Sequence, residues 1–325
     1  MRIAIVGAGA IGGYVGAHLA TAGNDVALVA RGAHLLALQK HGVTVRSDSG
    51  DLVARAFATS DPAQIGPVDA VFLFVKAHSL PEIAPLLASL LGPGTPVIAG
   101  QNGLPWWYFE RHGGPLEGAR LESVDPGGRL FASIPIERVI GAVIYCSTVM
   151  EEPGIIRHVE GNRIAIGEPD GSRTGRCEEI SRLLGQAGLR CPVRSNIRHD
   201  IWVKLIGNLA LNPVSALTRS TIEEMMRDER TSALVRFIME EGAAVARAAG
   251  IELEISVERR IEGASRVGAH RTSMLQDLER GKSLELDSIA GAVVELADRL
   301  GVPVPCTRTV YACAKLLERS ARAGS

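Results

Sequence analysis

Cysteine is scarce and scattered. The five that occur, Cys146, Cys177, Cys191, Cys306 and Cys313, form no C-x-x-C pair and leave one over. That pattern argues against a disulfide framework and a cysteine zinc site, and it favours a reduced, cytoplasmic setting. The eight histidines show no metal-ligand spacing, so no metal is expected. Charge of one sign is also lacking. A formal net charge of -1 gives no electrostatic case for nucleic acid or an anionic membrane surface as partner. No apolar run approaches the ~20 residues that span a bilayer. The chain opens on a β-rich run rather than a charged leader, so no export signal is expected. A G-x-S-x-G elbow is absent. Aromatic residues make up only 4% of the chain, yet four of them stand together as Trp106-Trp107-Tyr108-Phe109. Against these absences stand 325 residues, 46% hydrophobic and 22% charged, enough for two globular domains of ordinary size.

The first feature that carries chemistry is at the N-terminus. A β-rich run, Arg2 to Val6, leads directly into Gly7-Ala8-Gly9-Ala10-Ile11-Gly12, a small-residue helix to about Ala22, and a second apolar strand, Asp25 to Ala30. The order strand, G-x-G-x-x-G, helix, strand is the dinucleotide-binding context. The first glycine permits a tight turn, the second lets a pyrophosphate approach the backbone, and the third lets the helix pack close. Gly7, Gly9, Ala10, Ile11 and Gly12 are therefore candidate cofactor residues, with phosphates facing the positive end of the helix. The second strand runs out at Leu28-Val29-Ala30-Arg31-Gly32, with a cation where NAD enzymes carry a carboxylate. Arg31 can fork onto a 2′-phosphate, which favours NADP; a solvated arginine at a loop start is the plainer reading.

Further along, Gly42 to Phe57 alternates around Asp48-Ser49-Gly50 and predicts a β-hairpin. Asp69 to Val75 predicts a central parallel strand, and Lys76 follows it directly. Ligands of open α/β sheets sit at the carboxyl ends of strands, which places Lys76 toward the cofactor unless it is a surface lysine. Pro96 to Gly100 predicts another strand ending in Gln101-Asn102-Gly103. Asn102 there either belongs to a tight Asn-Gly turn or aims its amide at the nicotinamide. The aromatic run that follows either packs a helix onto the sheet or lines a pocket beside Asn102. Val139 to Val149 predicts a strand, Gly154 to Gly167 a hairpin around Glu160-Gly161-Asn162, Cys177 to Gly188 a helix, and Arg190 to Arg194 a last strand.

After Asn196 the pattern turns helical throughout, with helices expected over Ile197 to Leu211, Thr221 to Ala249, Ser256 to about Arg280, Leu284 to Leu300 and Cys306 to Arg322. The expected architecture is α/β: a Rossmann-type doubly wound sheet over residues 1–195, then an all-helical domain over 196–325. In the first helix, Lys204, Asn208 and Asn212 recur every fourth residue. At about 3.6 residues per turn they drift some 40° per step and form one polar stripe among Trp202, Leu205, Ile206 and Leu209. Such a stripe either caps neighbouring backbone in a core helix, with Asn212-Pro213 as its stop, or builds a site. Glu285, between two leucines, and Ser273 likewise have ordinary helical readings.

Taken together, Gly7-x-Gly9-x-x-Gly12, Lys76-Ala77 after a strand, Gln101-Asn102-Gly103, Lys204-x3-Asn208-x3-Asn212-Pro213, and Ser273-Met274-Leu275-Gln276-Asp277 with Glu285 resemble the ketopantoate reductase family (2-dehydropantoate 2-reductases). The resemblance implies NADPH-dependent reduction of a 2-oxo acid to a 2-hydroxy acid, with 2-dehydropantoate as the default substrate. It makes Lys204 the general acid and Glu285 its carboxylate partner. Asn102, Asn208, Asn212 and Ser273 become substrate-positioning residues, and Arg31 and Lys76 serve the NADP adenosine-phosphate and ribose end. A homodimer is implied on the same ground. The sequence departs from the family's frequent Thr-Glu-Ile-Asp and Ile-Asn-Gly, reading Leu284-Glu285-Leu286-Asp287 and Ile289-Ala290-Gly291. Two alternatives stand beside this reading: a D-2-hydroxy acid dehydrogenase of the same family acting on a bulkier 2-oxo acid, and a non-catalytic NADP-sensing or scaffold protein.

Overall fold

Strand β1 (Arg2–Val6) is buried from its second residue onward because both of its faces are covered, as its unbroken apolar sequence requires. The computed structural model describes residues 1–266 and 268–323. β1 is followed by α1 (Ala10–Thr21), β2 (Asp25–Val29), α2 (Gly32–His41), the hairpin β3 (Val43–Arg46) and β4 (Leu52–Ala54), and β5 (Phe57–Thr59). β6 (Ala70–Leu73), the short helix α3 (Leu80–Ile83), β7 (Val97–Ala99) and a second short helix, α4 (Arg129–Ser133), come next. Two long strands, β8 (Val139–Glu152) and β9 (Ile155–Gly167), complete a nine-stranded sheet of order β4-β3-β9-β8-β7-β6-β1-β2-β5.

β1 pairs in parallel with β2 on one side (Ile3↔Val26, Ile5↔Leu28) and with β6 on the other (Ile3↔Ala70, Ile5↔Phe72). The chain winds outward from β1 through β2 and β5, then returns to the opposite side through β6 and β7. This reversal opens a crevice at the carboxyl end of β1, where doubly wound sheets bind ligands. The sheet is mixed, because β9 runs antiparallel to β8 and β4 antiparallel to β3.

Two local expectations fail in this half. Glu160-Gly161-Asn162 is not a hairpin turn but a bulge inside β9. Tyr145 pairs with Arg163 and Ser147 with Glu160, so Gly161 and Asn162 together oppose Cys146. Gly161 takes φ +71, and a Cβ there would lie 2.2 Å from the Tyr145 carbonyl oxygen. The true β8–β9 turn is at Pro153-Gly154. Arg190 to Arg194 contributes isolated bridges, Arg163↔Arg190 and Ile166↔Val193, rather than a strand.

Beyond α5 (Gly175–Gln186) the chain is helical: α6 (Ile197–Thr218), α7 (Ile222–Arg227), α8 (Glu229–Ala248), α9 (Val257–Ser265), α10 (Ser273–Glu279), α11 (Ala292–Leu300) and α12 (Pro305–Ala323). α6 runs straight through Pro213. The ring removes one backbone donor, but Val214, Ser215 and Ala216 are fully packed and hold the helix on course. The expected helix over Thr221 to Ala249 divides at Asp228, whose side chain accepts the Thr231 amide and starts α8. The expected helix from Ser256 to about Arg280 is two helices, α9 and α10, and Val267 between them lies outside the described residues. The segment from Leu284 enters α11 through a π turn, Asp287–Gly291.

The chain forms two compact units: Met1–Gln101 with Trp107–Ala119 and Gly128–Ile197, and Asn102–Trp106 with Arg120–Gly127 and Arg198–Ser325. The division is therefore not the single cut expected near residue 195. Two short segments of the N-terminal half join the helical unit because their backbones bond to it. Leu104 donates to the Ser288 carbonyl at 2.9 Å, and the Glu122 and Ser123 amides donate to the Glu295 carboxylate at 3.0 and 2.9 Å. Among the described residues, no helix is long and apolar enough to cross a membrane.

Candidate functional site

In the first unit the three glycines of the motif have separable jobs. Gly7 takes φ +92, and a Cβ on it would lie 2.6 Å from the Val75 nitrogen. A Cβ on Gly12 would lie 2.2 Å from the Gly7 carbonyl oxygen, so α1 packs directly on the turn. Around Gly9, by contrast, no atom lies within 4 Å of such a Cβ, which leaves one open approach to the backbone. The amides of Gly7 and Ala8 are engaged by the Val29 carbonyl at 3.2 and 2.9 Å. Donors for an anion fall instead to the first turn of α1, from Ala10 to Gly12, where helix geometry offers no internal acceptor. A groove of about 280 Å³ adjoins this turn, lined by Gly7, Ala8, Gly9, Arg31, His34 and Lys76 among others. The residues fit a dinucleotide phosphate.

Arg31 stands at the N-cap position of α2 without a side-chain bond to the helix, and is exposed, 3.6 Å from the likewise exposed Glu82 carboxylate. An open pair of this kind holds its partners by only ~0–1 kcal/mol, so a phosphate can draw the guanidinium away. His34 was missing from the sequence reading. Its Nδ1 accepts the Gly154 amide at 2.9 Å, which leaves Nε2 to carry the proton and donate to the Ala8 carbonyl at 2.6 Å. The imidazole thus ties the glycine turn to the β8–β9 turn. Its spacing three residues after Arg31, within one helical turn, was the available signal.

The second unit holds a different arrangement. Lys204, on α6, donates from Nζ to Asn102 Oδ1 at 2.8 Å, and Asn102 Nδ2 donates to Glu285 Oε2 at 3.0 Å. An ammonium can only donate and a carboxylate can only accept, so the partners themselves fix which way the amide faces. Asn102 bridges Lys204 and Glu285, the pair expected to act together, accepting from the first and donating to the second. The Asn102 amide, expected to face the nicotinamide, is engaged at both ends within this unit.

Asn102 is held by its neighbours. Gly103, at φ +89, approaches the π turn so closely that a Cβ would lie 2.0 Å from the Ser288 carbonyl oxygen. Asn208 and Asn212 continue the α6 stripe from Lys204, and Asn212 is 5% exposed. Ser273 opens α10 beside its cap, Thr272, and is exposed. Among the described residues, no hydrogen bond joins Asn208, Asn212 or Ser273 to the Lys204–Asn102–Glu285 chain.

The aromatic run is not a pocket wall. Trp106, Trp107, Tyr108 and Phe109 are 7, 1, 0 and 2% exposed, in a series of turns rather than a helix. Gly141 makes room for the Trp107 indole, since a Cβ there would lie 2.5 Å from the ring, and Tyr108 meets Phe109 edge-on at 4.8 Å. These rings pack.

Comparison with known proteins identifies the family of both halves of the chain. Residues 3–171 match the family model described as Ketopantoate reductase PanE/ApbA, and residues 196–318 match Ketopantoate reductase PanE/ApbA C terminal. The chain is 48% identical to a 2-dehydropantoate 2-reductase of Mesorhizobium japonicum over 98% of each protein. It is 31% identical to a 2-dehydropantoate 2-reductase of Archaeoglobus fulgidus over 95% of each. The crystal structure of a PanE/ApbA family ketopantoate reductase from Ralstonia eutropha superposes with a TM-score of 0.86 at 31% identity, covering 99% of this chain and 100% of that one. With a glycine turn built for a dinucleotide and a lysine relayed to a glutamate, the chain belongs to the ketopantoate reductase family.

Proposed function

We propose that this protein is an NADPH-dependent oxidoreductase that reduces 2-dehydropantoate to pantoate, with Lys204 as the proton donor. The observation that carries the reading is the hydrogen-bonded chain Lys204–Asn102–Glu285. A reduced nicotinamide cofactor, its phosphates seated at the glycine turn, would supply hydride to the substrate's carbonyl carbon. The first turn of α1 and Arg31 would hold the cofactor's phosphates, with Arg31 favouring the 2′-phosphate by charge.

As the carbonyl is reduced, negative charge builds on its oxygen. Lys204 Nζ has donors beyond the one given to Asn102, so it can bond that oxygen, stabilise the charge and deliver the proton. Asn102 restrains the ammonium by accepting from it, and is itself restrained by donating to Glu285. Asn208 and Asn212, one and two turns along the same face of α6, supply amides to position a substrate carboxylate or hydroxyl, with Ser273 a further hydroxyl. A non-catalytic NADP sensor would have no use for a lysine, a relay amide and a carboxylate assembled from three separate segments. The test is NADPH consumption with 2-dehydropantoate and a panel of other 2-oxo acids. The reading expects 2-dehydropantoate to give the highest kcat/KM; no turnover with any 2-oxo acid would refute it.

A further inference from the structure

Glu285 lies between two residues that are clamped from the same side. On one flank the Leu284 amide donates to Glu318 Oε1 at 2.9 Å. On the other, the Asp287 carboxylate accepts from the Tyr311 hydroxyl at 2.6 Å and from Lys315 Nζ at 3.0 Å. Tyr311, Lys315 and Glu318 stand at i, i+4 and i+7 on α12 and so form one face. The same segment carries the loop of Asn102, through the Leu104 bond to Ser288 at 2.9 Å and the close approach of Gly103.

A π turn holds one more residue than an α turn, and its register decides where the preceding side chain points. Asp287 is the first residue of the turn here. Gly291, the last, leaves the space in which the Tyr311 hydroxyl sits, since a Cβ there would be 3.0 Å from that oxygen. We propose that Tyr311 is a positioning residue of the reaction: by holding Asp287 it fixes the π turn, and through the turn it sets Glu285 against Asn102. The proposal rests on the reading of Glu285 as the far end of the proton donor's hydrogen-bonded chain. Burial and the adjoining Asp287 carboxylate both push the phenol up, so it remains a donor across the working range.

The test is Tyr311→Phe in the full-length enzyme, which keeps the ring and removes the hydroxyl. Kinetics with 2-dehydropantoate, NADPH binding and thermal melting are measured in the wild-type and Glu285→Gln backgrounds. The expected result is about a tenfold loss of kcat/KM, near the lower end for one hydrogen bond to a charged group. NADPH affinity should stay within about twofold, and the loss should vanish when Glu285 is already Gln. A lower melting temperature with unchanged kcat and KM, or an equal loss in both backgrounds, would overturn the proposal and make Tyr311 a packing residue. Glu285→Gln alone without effect would sink the reading of Glu285 and the proposal with it. Should Tyr311→Phe fold poorly, Lys315→Gln removes the other hold on Asp287. It should give a smaller loss, about threefold, with the same dependence on Glu285; independence would again overturn the proposal.

Discussion

Removing the Asn102 side chain is the most discriminating perturbation, because it takes away one neutral group and leaves two charged ones. Asn102 makes two bonds, at 2.8 Å to the Lys204 ammonium and 3.0 Å to the Glu285 carboxylate. Each is a hydrogen bond to a charged group, worth about 1.5–3 kcal/mol. Full loss of both would be about 3–6 kcal/mol, but Asn102 is only partly buried, and water entering the gap restores part of it. About 2–3 kcal/mol should therefore be missing from the transition state. At 1.36 kcal/mol per decade, Asn102→Ala should lower kcat/KM by about 30- to 150-fold. The assay follows NADPH absorbance across 2-dehydropantoate concentrations, with cofactor affinity measured separately and expected to change by less than about threefold. Asn102→Asp should be worse still. It keeps the shape but cannot donate to Glu285, and it sets two carboxylates against each other. If Asn102→Ala kept kcat/KM within about threefold of wild type, the relay would be a by-product of packing and the argument from it would fall.

Three other outcomes follow from the same structure. Lys204→Ala should lower kcat by about 10²–10⁴-fold while leaving NADPH binding nearly intact; more than about a tenth of wild-type kcat would place the proton donor elsewhere. Arg31→Ala should raise KM for NADPH by about 10- to 100-fold with little change for NADH, and equal KM values for both cofactors in the wild type would remove the role given to Arg31. Glu168 is buried, and burial alone would raise its carboxyl, but bonds from Arg176 and Thr174 bring it below the usual 4.5. A depressed folded-state value stabilises above pH 4.5, and that stability is lost as pH falls through the folded value. Glu168→Gln should therefore cost about 3 kcal/mol at neutral pH, and much less in acid, in denaturant titrations run at several pH values. A loss that did not shrink in acid would deny the carboxylate that role.

Patterns confined to one helix or one turn were legible in the sequence. The glycine motif, the second-strand arginine and the four-residue recurrence from Lys204 to Asn212 each depend on local periodicity alone, and each lies on the element expected for it. What stayed hidden depended on partners distant in the chain. Gly161 signals φ > 0 whether it makes a turn or a bulge, and only the pairing of β8 with β9 decides between them. Pro213 reads as a stop until the packing around it is known. His34 becomes meaningful only once Gly154 reaches it, and the aromatic run only once Gly141 is found beneath Trp107. The π turn has no sequence signature of its own, and its Asp287 and Ser288 bond to α12 and to Leu104, both distant in the chain.

The division of the chain into interleaved segments has a consequence for how the enzyme can be assembled or recombined. Asn102 meets Lys204 across 102 residues and Glu285 across 183. Such closures come late, after local helices have formed, because the chain must lose its loop entropy before the contact repays it. A helical fragment starting at Arg198 would therefore carry the lysine and the glutamate without the amide that joins them. Anyone exchanging the nucleotide-binding half for another specificity would have to leave Asn102–Trp106 and Arg120–Gly127 behind with the helices, with cuts after Gln101, Trp106, Ala119, Gly127 and Ile197. The segments that carry the glycine turn and Arg31 and those that carry Asn102, Lys204 and Glu285 thus alternate along the chain, and they first meet at the bond between Gln101 and Asn102.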